Sequence, residues 1–107
     1  MYRITEKKIL NPTVVEMQIE APPVAKKALP GQFIILRTDE NSERIPLTVA
    51  GTDKENGTVK IIFQVVGATT TALSFKEKGD YIEDFAGPLG IASKLDELKK
   101  YASSAEA

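Results

Sequence analysis

The chain has 107 residues, 42% of them hydrophobic and 27% charged, enough for one domain that buries roughly two thirds of its unfolded surface. A formal charge of −1 gives no general attraction to nucleic acid or anionic membrane. With neither cysteine nor histidine, the chain offers no disulfide, thiolate nucleophile, imidazole base, cysteine-bound iron–sulfur cluster or ordinary zinc site.

The first run, Tyr2 to Ile9, is followed by a turn signal at Asn11-Pro12 and by TVVEMQIE over residues 13–20. There Val15, Met17 and Ile19 alternate with Glu16, Gln18 and Glu20, the period-two pattern of a strand with one buried face. Pro22-Pro23 ends that strand. Pro30-Gly31 makes a tight turn into the apolar run Phe33-Ile34-Ile35-Leu36, the third expected strand. Leu47 to Ala50 and Val59 to Val66, separated by Asp53, Asn56 and Gly57, read as a hairpin, with Val59, Ile61, Phe63 and Val65 on one face. After Gly67 the period changes, and Thr69 to Lys78 reads as a short helix capped by a threonine and stopped by Gly79. A last strand runs from about Asp80 to Ala86, with Gly87-Pro88-Leu89-Gly90 ending it. Ser93 followed by Asp96, and a stripe of Leu95, Leu98, Tyr101 and Ala102, predict a C-terminal amphipathic helix.

These elements predict an all-β fold: a six-stranded antiparallel Greek-key barrel over residues 1–90, one short helix between strands 5 and 6, and a helix and tail over 91–107. No apolar run approaches the roughly 20 residues of a membrane span, so a soluble, cytoplasmic location is expected.

Three constellations could carry chemistry. Arg44-Ile-Pro46-Leu47-Thr48 fixes a guanidinium and a hydroxyl on either side of a proline. The planar fork of donors suits a diphosphate, while an arginine lying along an edge strand explains the same spacing. In Val66-Gly67-Ala68-Thr69-Thr70, a glycine and threonines open a helix, which suits either a phosphate cradle or an ordinary cap. Asp80, Glu83 and Asp84 crowd one strand, where paired carboxylates serve acid–base work or a solvated strand face.

In this order, Pro30-Gly31-Gln32-Phe33, Arg44-Ile-Pro46-Leu47-Thr48, Val66-Gly67-Ala-Thr-Thr70-Thr-Ala-Leu73 and Gly87-Pro88-Leu89-Gly90 resemble the flavin domain of one branch of the ferredoxin-NADP reductase superfamily. That branch contains the small subunit of NADH-dependent ferredoxin-NADP oxidoreductase, the similar sulfide dehydrogenase subunit and the electron-transfer subunit of dihydroorotate dehydrogenase. The resemblance implies FAD as cofactor. It places Arg44 on the pyrophosphate and Pro46, Leu47 and Thr48 along the isoalloxazine. Ile62, Phe63, Gln64 and Val65 would pass the ribityl chain and adenine, with Gly67, Thr69 and Thr70 at the phosphates, and Gly87 to Gly90 would be a hinge. No metal site and no catalytic side chain of the protein's own are expected.

The chain departs from the pattern in two ways. Basic residues expected near Ala68 and Thr71 are missing, which predicts weaker flavin binding. The NAD(P)H-binding and [2Fe–2S] domains expected after Gly90 are missing as well, and the Lys/Glu/Ala-rich tail reads as that of a truncated or engineered chain. Electron transfer by bound FAD is then expected to need an NAD(P)H-binding or iron–sulfur partner protein, with direct turnover of NAD(P)H slow or absent. The rival expectations are a flavin-free barrel, acting as a scaffold or oligomerising through its C-terminal helix, and a module for another phosphorylated ligand such as FMN.

Overall fold

In the computed structural model, residues 1–90 are described. The expected C-terminal helix, with Leu95, Leu98 and Tyr101, lies outside them.

The chain begins with a long hairpin, β1 (Tyr2–Asn11) and β2 (Val14–Glu20). Asn11 closes its turn by accepting the Thr13 N–H at 2.9 Å. The alternation read from the sequence is realised, since Val15, Met17 and Ile19 are buried and their neighbours are not. Pro22-Pro23 stops β2 and also opens a helix that the sequence reading missed, α1 (Pro22–Lys27). The physical reason is positional: in the first turn of a helix a missing N–H costs nothing, so proline both ends a strand and starts a helix. Val24 and Ala25 turn inward from α1.

Next come β3 (Phe33–Arg37), β4 (Ile45–Asp53), β5 (Thr58–Gln64) and α2 (Ala68–Ser74). The helix is shorter than expected, ending with Phe75 at its C-cap rather than running to Lys78. The chain closes with β6 (Tyr81–Ile82) and β7 (Asp84–Leu89).

Among the described residues the sheet therefore has seven strands, not six, in the order β6-β1-β2-β5-β4-β3-β7, every pairing antiparallel. Within it β3, β4 and β5 form a meander with β2 returned beside β5, a Greek-key arrangement. The extra strand comes from dividing the expected last one. Tyr81 and Ile82 pair with β1, and from Asp84 onward the same segment pairs with β3. Only Glu83 separates the two outer strands of the sheet, which nearly closes the barrel. Gly87 to Leu89 also belong to β7 rather than to a free hinge, with Leu89 opposite Phe33. Gly87, at φ 152°, lies so close to β3 that a β-carbon there would sit 3.0 Å from the Phe33 carbonyl oxygen.

The core is the barrel interior: Ile4, Met17, Ile19, Ile34, Leu36, Val49, Val59, Ile61, Leu73 and Ile82 are fully buried. Each contributes about 1.5–3 kcal/mol on burial if its whole side chain leaves water. Val59, Ile61 and Phe63 face inward as their spacing predicts, and Val65 packs against the same cluster.

Candidate functional site

The site originates in a fork. Strand β4 pairs with β3 through Ile45–Thr48, but with β5 only from Val49 onward. Beyond Ile61, β5 continues along β2 alone. The two strands diverge there, and Pro46, which has no N–H to give, occupies the half of β4 that has one neighbour. A groove of about 550 Å³ opens in the fork, within the range of small-ligand sites. Glu43, Ile45, Pro46 and Leu47 form one wall, Gln64 and Val66 the other, and residues 67–70 the end.

The end of the groove is shaped by Thr70. Its hydroxyl accepts the Val66 N–H at 3.0 Å and the Gly67 N–H at 2.9 Å, and donates to the Gly67 carbonyl at 3.1 Å. One donor and two acceptor positions are thereby all used. Gly67 is the N-cap of α2, so the threonine works from the third helical position rather than as the cap itself. The hydroxyl that the sequence motif offers to a phosphate is thus committed to the chain. What this turn leaves for a ligand is the Thr69 hydroxyl, unbonded among the described residues, and first-turn N–H groups that have no acceptor within the helix.

Helix α2 is also fixed at its far end. The Lys7 ammonium, on a side chain 8% exposed, donates to the Ser74 carbonyl at 2.7 Å and to Glu77 at 3.0 Å. A cation on the last carbonyls complements the negative end of the helix dipole.

Of the residues singled out in the sequence, the groove brings together Pro46, Leu47, Gln64, Gly67, Thr69 and Thr70. The others stand apart. Thr48 is exposed on β4 opposite Phe33, Ile62 points outward, Phe63 is buried in the core, and Val65 packs on the core while its N–H donates to the Thr13 carbonyl at 2.7 Å. Arg44 is turned toward Asp84, 3.1 Å from its carboxylate, which Arg37 holds at 2.8 Å. The carboxylates of the third constellation are therefore not one solvated face. Asp84 carries these ion pairs, while Asp80 closes a turn by accepting the Glu77 N–H. Glu43, Ile45, Val66 and Ala68 line the groove without having been singled out as ligand residues. Ile45, Val66 and Ala68 belong to the two motifs and Glu43 precedes the first, and only the divergence of β4 from β5 shows that they share its walls.

The remaining two motifs meet elsewhere. Gln32 bridges them, accepting the Leu29 N–H at 2.8 Å and donating to the Gly90 carbonyl, while its backbone carbonyl receives the Val49 N–H at 2.8 Å. This contact ties the start of β3 to the last described residue and to the branch point of the fork.

The chain is 45% identical over 93 residues to a Thermotoga maritima homolog of the dihydroorotate dehydrogenase B electron transfer subunit, covering 87% of the chain and 33% of that protein. An uncharacterized Clostridium beijerinckii protein is 52% identical over 105 residues, 94% of this chain and 36% of its own. A solved structure of NADH-dependent reduced ferredoxin-NADP oxidoreductase superposes with a TM-score of 0.82 at 45% identity, over 85% of this chain and 33% of that one. The barrel is that of the ferredoxin-NADP reductase-like superfamily. The cytochrome b5 reductase domain of Ulva prolifera nitrate reductase shares the fold, with a TM-score of 0.58 at 17% identity over 83% of this chain and 40% of its own. No family model matches the chain. It spans about a third of the length of the curated relatives it matches. Among the described residues no helix is long and apolar enough to cross a membrane.

Proposed function

We propose that residues 1–90 bind FAD in the fork between β4 and β5 and serve as the flavin module of an electron-transferring oxidoreductase, in the cytoplasm. The observation that carries this reading is convergence. Pro46 and Leu47, Gln64, and Gly67, Thr69 and Thr70 come from three separate segments and line one groove of suitable size. The relatives named as electron-transfer subunits support the same reading.

The groove suits a flavin in kind. Ile45, Pro46, Leu47 and Val66 give it apolar wall, Gln64 an amide, and the Thr69 hydroxyl and the first turn of α2 supply donors suited to phosphate oxygens. A bound flavin supplies the redox chemistry, and the protein supplies orientation and partial exclusion of water. In this reading Pro46 and Leu47 orient the ring system, Thr69 and Gly67 meet the phosphates, and Thr70 keeps the cradle in shape. Thr48, Ile62, Phe63 and Val65 support the walls, and Arg44 reaches the diphosphate only after leaving Asp84. The electrons would come from, or go to, a partner carrying an NAD(P)H site or an iron–sulfur centre.

The second reading, a flavin-free barrel acting as scaffold or interaction module, is favoured by one observation. Among the described residues Glu43 is the only charged one lining the groove, and its sign opposes a phosphate. One experiment separates the two: saturate the purified chain with FAD, remove the unbound fraction by gel filtration and record the visible spectrum. Flavin bands co-eluting with protein support the first reading. Colourless protein after reconstitution overturns it.

A further inference from the structure

The walls of the groove do not supply the charge that a phosphate ligand needs. Among the described residues no lysine or arginine lines it, and Glu43 adds a negative charge. Arg44 lies between Glu43 and Ile45, both of which line the groove, yet its guanidinium rests 3.1 Å from Asp84 Oδ2 on β7.

Asp84 does not depend on Arg44. Arg37, its register partner across β3 and β7, holds the same oxygen at 2.8 Å. Arg37 is itself fixed, with its side chain 21% exposed and a second nitrogen donating to the Glu40 carbonyl at 3.1 Å. Arg44 is the loose member of the trio, 62% exposed and bonded among the described residues to Asp84 alone. One carboxylate oxygen thus serves a mostly buried, doubly bonded arginine and an exposed, singly bonded one.

We infer that Asp84 is a resting dock for Arg44 that competes with the ligand's phosphates, so that this carboxylate sets how tightly the groove holds FAD. The inference rests on the flavin reading proposed above. Arg44 has two anchorages, Asp84 when the groove is free and the diphosphate when it is filled. An exposed ion pair contributes little net free energy, and a charge-assisted contact to a diphosphate is stronger, so the exchange proceeds in the presence of ligand. The fraction of molecules with Arg44 docked lowers the apparent affinity in proportion.

The test is a flavin-fluorescence titration of the full chain with FAD, comparing wild type, Asp84→Asn, Arg44→Ala and the double variant, with thermal unfolding as a check on folding. Asp84→Asn is expected to tighten FAD by about two- to five-fold, the scale of an exposed ion pair. The same change is expected to have no effect in the Arg44→Ala background. Unchanged or weaker binding by a folded Asp84→Asn variant overturns the dock, and so does equal tightening without Arg44. Should Asp84→Asn fail to fold, the Arg44 Nε–H resonance of the wild type decides. It is expected to shift on FAD saturation, and a resonance that stays in place overturns the proposal. Failure of wild type to bind FAD at any concentration removes the flavin reading itself. The dock is then tested without flavin by the same resonance under inorganic pyrophosphate, where movement supports it and a fixed resonance overturns it.

Discussion

The hydroxyl of Thr70 accepts the backbone N–H of Gly67 at 2.9 Å and returns its own hydrogen to the Gly67 carbonyl at 3.1 Å. Replacing Thr70 with valine keeps the volume and deletes all three bonds at a buried position, leaving the Val66 and Gly67 donors unpaired. A loss of about 1–3 kcal/mol in urea unfolding is expected, together with weakened FAD binding. Thr70→Ser, which retains the oxygen, is expected to recover most of both.

Lys7 holds the opposite end of the same helix through the Ser74 carbonyl. Lys7→Met preserves the aliphatic stem and removes the ammonium, so the expected cost is about 1–2 kcal/mol in chemical denaturation. Hydrogen exchange is expected to rise in α2 before it rises in the barrel strands, which would separate loss of the helix clamp from loss of the core.

Gly57 is constrained twice. Its φ is +68°, and a β-carbon there would stand 2.9 Å from Cγ of Pro22, at the start of α1. Its carbonyl also receives the Ala21 N–H at 2.9 Å, so the β4–β5 hairpin tip and the entrance to α1 are one contact. Gly57→Ala is expected to lower stability by about 1–3 kcal/mol. Adding Pro22→Ala removes the nearest atom, Cγ, and is expected to relieve some of the steric part and none of the backbone part, as a double-mutant cycle in urea would show.

Asp53 contributes to the acid side of the stability profile. Hydrogen bonds from the Asn56 backbone N–H, and then from its side-chain amide, hold the Asp53 carboxyl below its usual range. A depressed folded pKa stabilises the fold above the unfolded value of about 3.9, and this contribution disappears as pH falls through the lower folded value. Asp53→Asn is therefore expected to lower stability in the neutral region and to flatten the fall below about pH 4, so that variant and wild type converge at acid pH.

If Arg44 meets a diphosphate, its removal discriminates between flavins. Arg44→Ala is expected to weaken FAD more than FMN, by about 1.5–3 kcal/mol less whatever undocking from Asp84 costs. Equal weakening of both, measured by fluorescence titration, would place Arg44 away from the second phosphate.

Period-two alternation made most of the barrel legible, because one-sided burial writes itself into Val15-Met17-Ile19 and Val59-Ile61-Phe63. What stayed hidden depends on contacts distant in sequence. Helix α1 was obscured because Pro22-Pro23 is equally a strand stop and a helix start. The split at Glu83 has no local signature, since one continuous extended segment changes partner there. The groove was half legible. Motif residues pointed to Pro46, Leu47, Gln64 and the turn at Gly67, but Glu43 and Val66 share its walls only because β4 and β5 part beyond Val49. Strand parity also turns Phe63 inward, which the motif alone does not reveal.

The partner change at Glu83 makes residues 81–89 a clasp between the two margins of the sheet. Until that segment is in place, β1 and β3 each keep an open row of backbone donors and acceptors, the kind of margin that recruits strands from other molecules. Tyr2 meets Ile82 across almost the whole described length, a contact that carries a large loop-closure cost. During synthesis the barrel is thus open-sided until its ninth decade of residues has left the ribosome. A chain cut short before the clasp would present two sticky margins at once, a state more prone to pair with its own copies than to hold a ligand.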